Sequence, residues 1–447
     1  MRVGIVGAGW AGLAAALALA GRGIEVSLYD AAPAAGGRAR SVSLDTALGR
    51  FTVDNGQHLI VGAYRESLAL AAALGSDRLL RRIPLALSSP SGLSLRAAPL
   101  PAPLHLGWAL LRARGLGPGG RLAAVRLMAG LRRTGWRPRP GETVAGLLER
   151  FRQPAALVER LWAPLCIGAL NTLPGAACAA AFATVLHDTL GGARQDSDFV
   201  IADVPLGRLL PEPALERLAA QGAAIRLRTP VRRLLRDAGG WRIGDDRFAR
   251  LLLALPPWSA AGLLEASGLP SGRLHEFAPE PIATGWALWR AGAAPKLPGW
   301  SLLDEDASRD HHGQWLFDRG IVQPDDERRG SAGSARLAGI VISAASRLDR
   351  LPAGALAAGL ASQLRAAFGG PPPDDLRIVT ERRATFRCTP QRPRLDPGCL
   401  QAAAPGLWLA GDWLWDDYPA TLEAAVRSGL DAARRIAGSI GPAAPAG

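Results

Sequence analysis

Lysine is almost absent from this chain of 447 residues, and cysteine is scarce. Lys296 is the only lysine against 51 arginines. With abundant alanine and glycine, this is the bias of a GC-rich coding sequence, so the choice of arginine over lysine says little about function. The four cysteines show neither a CxxC dithiol nor a zinc-like spacing, which excludes a disulfide framework and predicts no metal site: Cys166, Cys178, Cys388 and Cys399. We therefore expect a reducing, cytoplasmic setting.

An unbroken apolar run long enough to span a membrane is also missing. A spanning helix needs about 20 consecutive apolar residues. The longest uncharged stretch, 161–186, is interrupted by Pro164, Asn171, Thr172, Pro174 and Gly175. The stretch 97–111 is shorter and contains prolines. The start of the chain enters a structured motif by Gly7, so we also expect no cleavable signal peptide.

Acidic residues are absent from the 64 residues between Asp77 and Glu142. The net charge of the chain is +13, and all but +1 of it comes from this stretch. Such a distribution argues against a surface that coats nucleic acid, while the charged fraction of 20% is too low for a disordered protein. The arginines of this basic segment are Arg78, Arg81, Arg82, Arg96, Arg112, Arg114, Arg121, Arg126, Arg132, Arg133, Arg137 and Arg139.

The beginning of the chain has the pattern of a dinucleotide-binding βαβ unit. Residues 2–7 predict a buried strand, the glycine motif GxGxxG follows, and an Ala/Leu-rich helix continues to about residue 22. A second strand, 25–29, ends at an acid that can hold a ribose hydroxyl. The predicted contacts with the dinucleotide are Gly7, Gly9, Ala11, Gly12 and Asp30.

A second GxGxxG, formed by Gly115, Gly117 and Gly120, lacks this context. Arginine-rich sequence precedes it, Pro118 interrupts it, and neither a strand nor a later acid frames it. We interpret it as a loop between helices. The sequence therefore gives no evidence for a separate nicotinamide site.

After the second strand, Gly36-Gly37-Arg38 resembles the signature of the FAD-dependent amine oxidase and phytoene desaturase superfamily. In that superfamily the glycine turn and the arginine lie against the FAD pyrophosphate, and an arginine fork suits a doubly charged diphosphate. The segment Asp54–His58 follows, and by resemblance it passes close to the isoalloxazine. FAD is thus the expected cofactor, with Asn55, Gly56, Gln57 and His58 among its contacts.

The C-terminal part resembles the other half of the same signature. Gly411-Asp412 follows a strand at 406–410, and Pro419-Ala420-Thr421 opens a helix with the pattern PxTxExAxxSG. In the superfamily the aspartate binds the ribityl or pyrophosphate group, and the helix N-terminus points at the isoalloxazine. Strands are also predicted at 224–227, 229–231 and 250–257, with Val231 beside the adenine by resemblance.

These matches imply an α/β fold, in which a Rossmann-type FAD-binding domain carries an inserted, discontinuous substrate domain of mixed sheet and helices. The expected FAD-binding domain comprises 1–76, 205–265 and 396–447. The substrate domain would comprise 77–204 and 266–395, with strands near 282–290, 313–318, 337–343 and 376–386.

Further segments narrow the resemblance to the squalene-associated FAD-dependent desaturase family, whose activity is hydroxysqualene dehydroxylation in hopanoid biosynthesis. The similarity spans nearly the whole chain, but 413–418 is bulkier than the family's usual loop, so we expect a pocket that differs from the family's in detailed shape. The segments are 54–58, 162–172, 196–198, 210–213 and 315–319.

The resemblance implies that reduced FAD gives a hydride to an allylic cation formed when a protonated hydroxyl leaves as water. Of the six histidines, His58 is a candidate for the acid, and Tyr418 and Asp417 are candidates because they precede the helix that faces the flavin. A structural role for His58 is the alternative, as is catalysis by flavin and geometry without any indispensable acid. Asp54 is expected to order its loop.

A hydrocarbon substrate also suggests a use for the basic segment. Leucines and tryptophans lie among its arginines, which suits an interfacial helix on anionic lipid, although a solvated helical cap is the alternative. We expect a cytoplasmic protein associated peripherally with the inner face of the cytoplasmic membrane, with a long-chain isoprenoid substrate and no nucleic-acid partner. The sequence does not indicate an oligomeric state.

Three competing functions remain open at this point. A carotenoid-type desaturase or isomerase would use the same scaffold with the flavin as oxidant. An amine oxidase is disfavoured because Lys296 is the only lysine available beside a flavin. A non-catalytic prenyl-lipid escort protein of this fold would lack flavin, and the intact glycine motifs argue against it.

Overall fold

A computed structural model describes residues 1–237, 239–325, 333–352 and 354–439. Its α-helices are α1 Trp10–Ala20, α2 Arg65–Ala73, α3 Leu104–Leu111, α4 Pro118–Arg133, α5 Val144–Arg150, α6 Ala155–Leu157, α7 Ala163–Leu170, α8 Ala179–Leu186, α9 Leu206–Leu209, α10 Pro211–Ala220, α11 Pro257–Ala266, α12 Ala355–Phe368 and α13 Leu422–Gly438. Its strands are β1 Arg2–Val6, β2 Glu25–Tyr29, β3 Ser41–Thr46, β4 Gly49–Asp54, β5 Ile60–Val61, β6 Leu80–Ile83, β7 Ala86–Ser88, β8 Ser94–Arg96, β9 Phe199–Ala202, β10 Ala224–Arg226, β11 Leu235–Asp237, β12 Gly240–Ile243, β13 Asp246–Phe248, β14 Arg250–Leu253, β15 Pro279–Arg290, β16 Trp300–Leu302, β17 Trp315–Val322, β18 Ala335–Ile342, β19 Asp375–Phe386 and β20 Leu407–Leu409.

The first sheet is parallel, with the strand order β10-β2-β1-β14-β20. Its strands come from three distant parts of the chain. The central strand β1 is almost wholly buried, and α1 packs against α13 with almost no space between the backbones. A Cβ added at Gly429 would lie 2.1 Å from the carbonyl oxygen of Ala11, so only glycine fits this contact. The Rossmann-type α/β prediction is therefore confirmed.

The second sheet is antiparallel, with the strand order β16-β17-β18-β15-β19. Helix α12 contacts β15 and β19, and the helices between α3 and α8 complete the second half of the molecule. This arrangement confirms the predicted combination of a parallel α/β part with a part of mixed sheet and helices. The exact domain boundaries remain a prediction.

Several local predictions are wrong in detail. Residues 229–231 form no strand, and the strand predicted at 250–257 ends at Leu253 because Pro257 already begins α11. In the second GxGxxG only the first two glycines lie in a loop, since Gly120 belongs to the first turns of α4. The tail beyond 439 lies outside the described residues.

The uncharged stretch 161–186 forms α7 and α8 instead of one helix. Asn171 adopts a left-handed conformation, with φ of 47°, and ends α7. Pro164 does not interrupt a helix, because it lies in the first turn of α7, where a missing N–H removes no hydrogen bond within that helix. In the part of the chain that the structure describes, no helix combines the length and the apolar character needed to cross a bilayer.

Candidate functional site

A single cavity of about 1200 Å³ runs from the carboxyl ends of the first sheet to the helices of the second half. Pockets for one small molecule have volumes of about 300–1,000 Å³, so this cavity can hold more than one ligand. One end is formed by the glycine motifs and their acids. The other end, which we call the chamber, is lined mainly by hydrocarbon side chains, including Leu85, Leu110, Leu165, Phe182, Phe317 and Val341.

The glycine turn between β1 and α1 forms the first end. Gly7 has φ of +109°, and a Cβ there would lie 2.3 Å from the Ala254 carbonyl oxygen. A Cβ at Gly12 would lie 1.9 Å from the Gly7 carbonyl oxygen, so both positions are closed by backbone. A Cβ at Gly9 would meet no protein atom closer than 3.8 Å. Protein packing therefore does not require glycine at position 9, and the absence of a side chain leaves this part of the turn open to a ligand in the cavity.

Two acids border this end. The Asp30 carboxylate accepts hydrogen bonds from the backbone N–H groups of Ala8 (2.6 Å) and Ala32 (2.8 Å), which fix its orientation at the cavity wall. Asp412 pairs with Arg38 at 2.8 Å, and Arg38 also donates to the carbonyl of Ala384. The ion pair joins the two halves of the signature, which are 374 residues apart in the sequence.

Most of the other predicted contacts lie on the same wall. Asn55 donates from its side chain to Glu381 at 2.8 Å, which attaches its loop to β19. The Thr421 hydroxyl accepts from the Ala424 N–H and so caps the first turn of α13. The predicted residues that line the cavity are Gly7, Gly9, Ala11, Asp30, Gly36, Gly37, Arg38, Asn55, Gly56, Gln57, His58, Gly411, Asp412, Tyr418, Pro419, Ala420 and Thr421.

Three predicted residues lie elsewhere. Gly12 does not line the cavity, and its lack of a side chain allows α1 to pack against the Gly7 carbonyl. Val231 lines a separate cavity of about 660 Å³ beside Tyr29 and Arg226. Asp417 is absent from the lining and forms an ion pair with Arg394 at 2.6 Å, so the structure does not bring it to the other candidates.

Residues 10–437 match the model of the family described as flavin containing amine oxidoreductase. Over 96% of its length, the chain is 31% identical to a hydroxysqualene dehydroxylase of Sinorhizobium fredii, covering 97% of that protein, and 30% identical to one of Rhodopseudomonas palustris with the same coverage. The chain belongs to the hydroxysqualene dehydroxylase family of flavin-containing oxidoreductases. As a member of this family it is an FAD-dependent oxidoreductase.

The solved structure of cyclohexylamine oxidase from Brevibacterium oxydans is similar in fold to this family member, with a TM-score of 0.66 at 19% identity and 99% coverage of both chains. At that identity the likeness concerns the fold alone. The only lysine, Lys296, is exposed and does not line the cavity.

The residues at this end of the cavity fit FAD. No side chain caps the N-terminus of α1, and its first turn holds no acid, so its free N–H groups can receive a phosphate. Gly9 leaves room for the diphosphate to approach. Arg38 supplies a guanidinium on the same wall, and Asp30 offers a carboxylate to a ribose. We call the start of α1 together with Gly9, Asp30 and Arg38 the flavin cradle. When bound in this cradle, FAD would supply the hydride chemistry of the family.

The two cavity-lining candidates for an acid differ in protonation. His58 Nδ1 lies 2.6 Å from the Gly56 carbonyl oxygen, so this nitrogen carries the proton and Nε2 of the neutral ring is an acceptor. Burial lowers the pKa of His58, which favours the neutral ring. Burial raises the pKa of Tyr418, with Tyr64 and Asp188 adding to the effect, so its phenol keeps its proton. At neutral pH only the Tyr418 hydroxyl can offer a proton to a ligand, because the His58 proton is directed to the Gly56 carbonyl.

Tyr418 is held in place without using its hydroxyl. Its ring lies under the Arg427 guanidinium, 5.2 Å from the centroid, and the hydroxyl makes no hydrogen bond with any residue described. Arg427 in turn pairs with Glu423 at 2.8 Å. The hydroxyl is therefore available to a ligand in the cavity.

Sequence reasoning missed two residues of this wall and one buried residue that lies outside its lining. Tyr64 lines the cavity beside Tyr418, and Glu381 reaches it from β19. Glu423 is fully buried and accepts from the backbone N–H groups of Glu66 and Ser67 as well as from Arg427. Its place in the signature PxTxExAxxSG was the one signal that could have singled it out.

Replacing Glu423 with alanine is expected to lower the free energy of unfolding by about 3–5 kcal/mol, because Arg427 loses its buried partner and two backbone N–H groups of α2 lose their acceptor. Thermal denaturation of the flavin-loaded protein measures this. Glu276→Ala, which breaks the exposed pair with Arg273, is the matched control and should cost less than about 1 kcal/mol. Equal losses in the two variants would contradict the role given to Glu423.

Proposed function

We propose that this protein reductively dehydroxylates hydroxysqualene: the substrate and reduced FAD give squalene, water and oxidised FAD. The observation that carries the proposal is the single cavity in which a flavin cradle opens directly into a hydrocarbon chamber. The names of the relatives support the choice of hydroxysqualene as the substrate. In this proposal the cradle belongs to the FAD-binding domain of 1–76, 205–265 and 396–447, and the chamber to 77–204 and 266–395.

The substrate's C–O bond breaks when its hydroxyl takes a proton and leaves as water, and the resulting allylic cation accepts a hydride. In this scheme the Tyr418 phenol donates to the leaving hydroxyl, since it lines the cavity and its hydroxyl has no hydrogen-bond partner among the residues described. His58 Nε2 can accept a hydrogen bond and thereby orient the same hydroxyl. No step is assigned to Asp417.

The apolar chamber protects the allylic cation because it keeps water away from it. Its wall includes Trp315 and Phe317 of β17, stacked with ring centroids 6.2 Å apart, and Trp162 from the opposite helices. Such aromatic faces carry negative quadrupole charge, which favours a nearby cation. Two π-helical turns, Val158–Trp162 and His187–Gly191, shape this wall. Turns of this kind are frequent at functional sites.

A product assay tests the proposed function. The purified protein is reduced with dithionite, incubated without oxygen with hydroxysqualene, and extracted for mass spectrometry. We expect squalene as the product. Loss of hydrogen from phytoene with oxidised protein would favour the carotenoid desaturase instead, and protein that takes up no flavin would favour the escort function.

We also propose that the protein associates peripherally with anionic membranes through its basic segment. The exposed arginines Arg112, Arg114, Arg132 and Arg133 have no acidic partner among the residues described, and exposed apolar side chains lie among them on α3 and α4. An arginine near an anionic surface contributes about 1 kcal/mol to binding.

Charge reversal of these four arginines to glutamate is expected to weaken binding to phosphatidylglycerol vesicles by at least about 100-fold, since four favourable contacts of about 1 kcal/mol each become repulsive. Co-sedimentation measures the binding, and the flavin absorbance should stay unchanged because none of the four arginines belongs to the glycine motifs or acids that fit FAD. Reversal of Arg22, Arg228, Arg232 and Arg233, exposed arginines in the other half, is the control. If both sets weaken binding equally, the basic segment has no special role.

A further inference from the structure

The chamber opens to the surface between α3 and α4. Leu104 of α3 and Val125 of α4 both line the cavity, yet their side chains are 60% and 51% exposed. A residue that contacts the interior and the solvent at once stands at an opening. These two residues mark what we call the mouth, and their helices contribute none of the glycine motifs or acids that fit FAD.

The surface around the mouth is apolar and basic. Trp108 and Leu111 of α3 and Leu122 of α4 are exposed, and no acid occurs anywhere in 78–141. The Arg112 guanidinium lies over the Trp108 ring at 5.5 Å, which places a positive charge directly beside the apolar patch. Exposed apolar side chains flanked by unpaired arginines are complementary to the surface of an anionic bilayer.

Helix α3 contacts β8 of the body, and one guanidinium of α4 also holds it. Only His105 and Ala109 of α3 are buried, and His105 bonds to the body through Ser197 at 3.3 Å while its Nδ1 has no partner among the residues described. At the other end of α3, the Arg121 guanidinium donates to three carbonyls, including that of Leu111. Helix α3 is therefore fixed at both ends, to the body near Leu104 and to Arg121 near Leu111.

We propose that the substrate passes from an anionic bilayer into the chamber through this mouth, between α3 and α4, without entering bulk water. The inference rests on the proposed function, because it concerns the route of a membrane-dissolved isoprenoid. The proposed occupant of the outer surface is the bilayer itself, to which the unpaired arginines and the apolar side chains around the mouth are complementary. The flavin end of the cavity takes no part in this route.

Tryptophan substitutions test the route with controls in the same helices. Leu104→Trp and Val125→Trp place an indole in the mouth. Leu111→Trp and Leu122→Trp place it on the same two helices at sites that are 61% and 66% exposed and do not line the cavity. All four positions are on the surface, so folding and flavin content should be retained. The rate of squalene formation from hydroxysqualene in phosphatidylglycerol vesicles is measured, together with co-sedimentation.

We expect the two mouth variants to be about tenfold slower or more, with vesicle binding unchanged, and the two controls to resemble the parent. Equal rates of squalene formation in all four variants would overturn the proposed route. It would also be overturned if all four variants were slowed to the same extent and had lost vesicle binding. A parent protein that forms no squalene would contradict the proposed function instead, which keeps the two failures distinct.

Discussion

The Gly9→Ala variant is expected to fold normally and to purify without flavin colour. A Cβ at this position meets no protein atom within 3.8 Å, but it projects at the turn where the diphosphate of FAD must approach the start of α1. Losing two charge-assisted hydrogen bonds of roughly 1.5 kcal/mol each weakens FAD binding by about 100-fold. Flavin absorbance per protein and titration of the apoprotein with FAD give the measurement.

Two further glycine variants separate cofactor binding from packing. Gly12→Ala places a Cβ 1.9 Å from the Gly7 carbonyl oxygen, so it should lower the melting temperature of the apoprotein as well as remove flavin. Gly175→Ala meets nothing within 4 Å and should change neither. Retention of full flavin by Gly9→Ala, at unchanged affinity, would show that the cradle does not hold the diphosphate.

Tyr418→Phe is expected to slow squalene formation by about 100-fold or more, the usual contribution of a positioned acid, while flavin content stays the same. Phenylalanine keeps the ring that lies 5.2 Å from the Arg427 guanidinium, so the pocket retains its shape and loses only the donor. Single-turnover reactions of the reduced protein measure the rate. In the control Tyr64→Phe, which removes the neighbouring phenol of the cavity wall, the loss should be at most about tenfold.

The pH dependence of the single-turnover rate separates the two candidate acids. Burial raises the pKa of Tyr418 from its ordinary value of 10.0, so a reaction that uses its proton should be independent of pH between about pH 7 and 9. Burial lowers the pKa of His58 below 6.5, so a reaction that needed its imidazolium would accelerate as the pH falls through that lower value. Acceleration in acid, together with normal activity of Tyr418→Phe, would transfer the role to His58.

The parts of the site that were predictable from the sequence are those encoded in short segments. The turn at Gly7 and the strand–helix–strand unit around it depend on residues that are about 25 positions apart or less. The structure contains β1, α1 and β2 at the positions that the pattern predicts. The acid Asp412 was predicted by resemblance, and its pairing with Arg38 became visible only in the structure.

The remaining parts depend on contacts between distant segments. Glu381 reaches the cavity because β19 pairs with β15 over most of its length, and no local pattern encodes that register. Residues 229–231 were predicted as a strand from their composition, yet they pair with no strand among the described residues. Asp417 is adjacent to Tyr418 in sequence, but its left-handed backbone turns it toward Arg394.

The most direct test of the account is the stoichiometry of one anaerobic turnover. The protein is reduced to its FADH2 form, mixed with hydroxysqualene in the absence of oxygen, and followed by flavin absorbance while the extract is quantified. One squalene is expected for each flavin that is reoxidised, because the hydride that leaves the flavin enters the hydrocarbon. Flavin that remains reduced while hydroxysqualene is recovered unchanged would contradict the central claim.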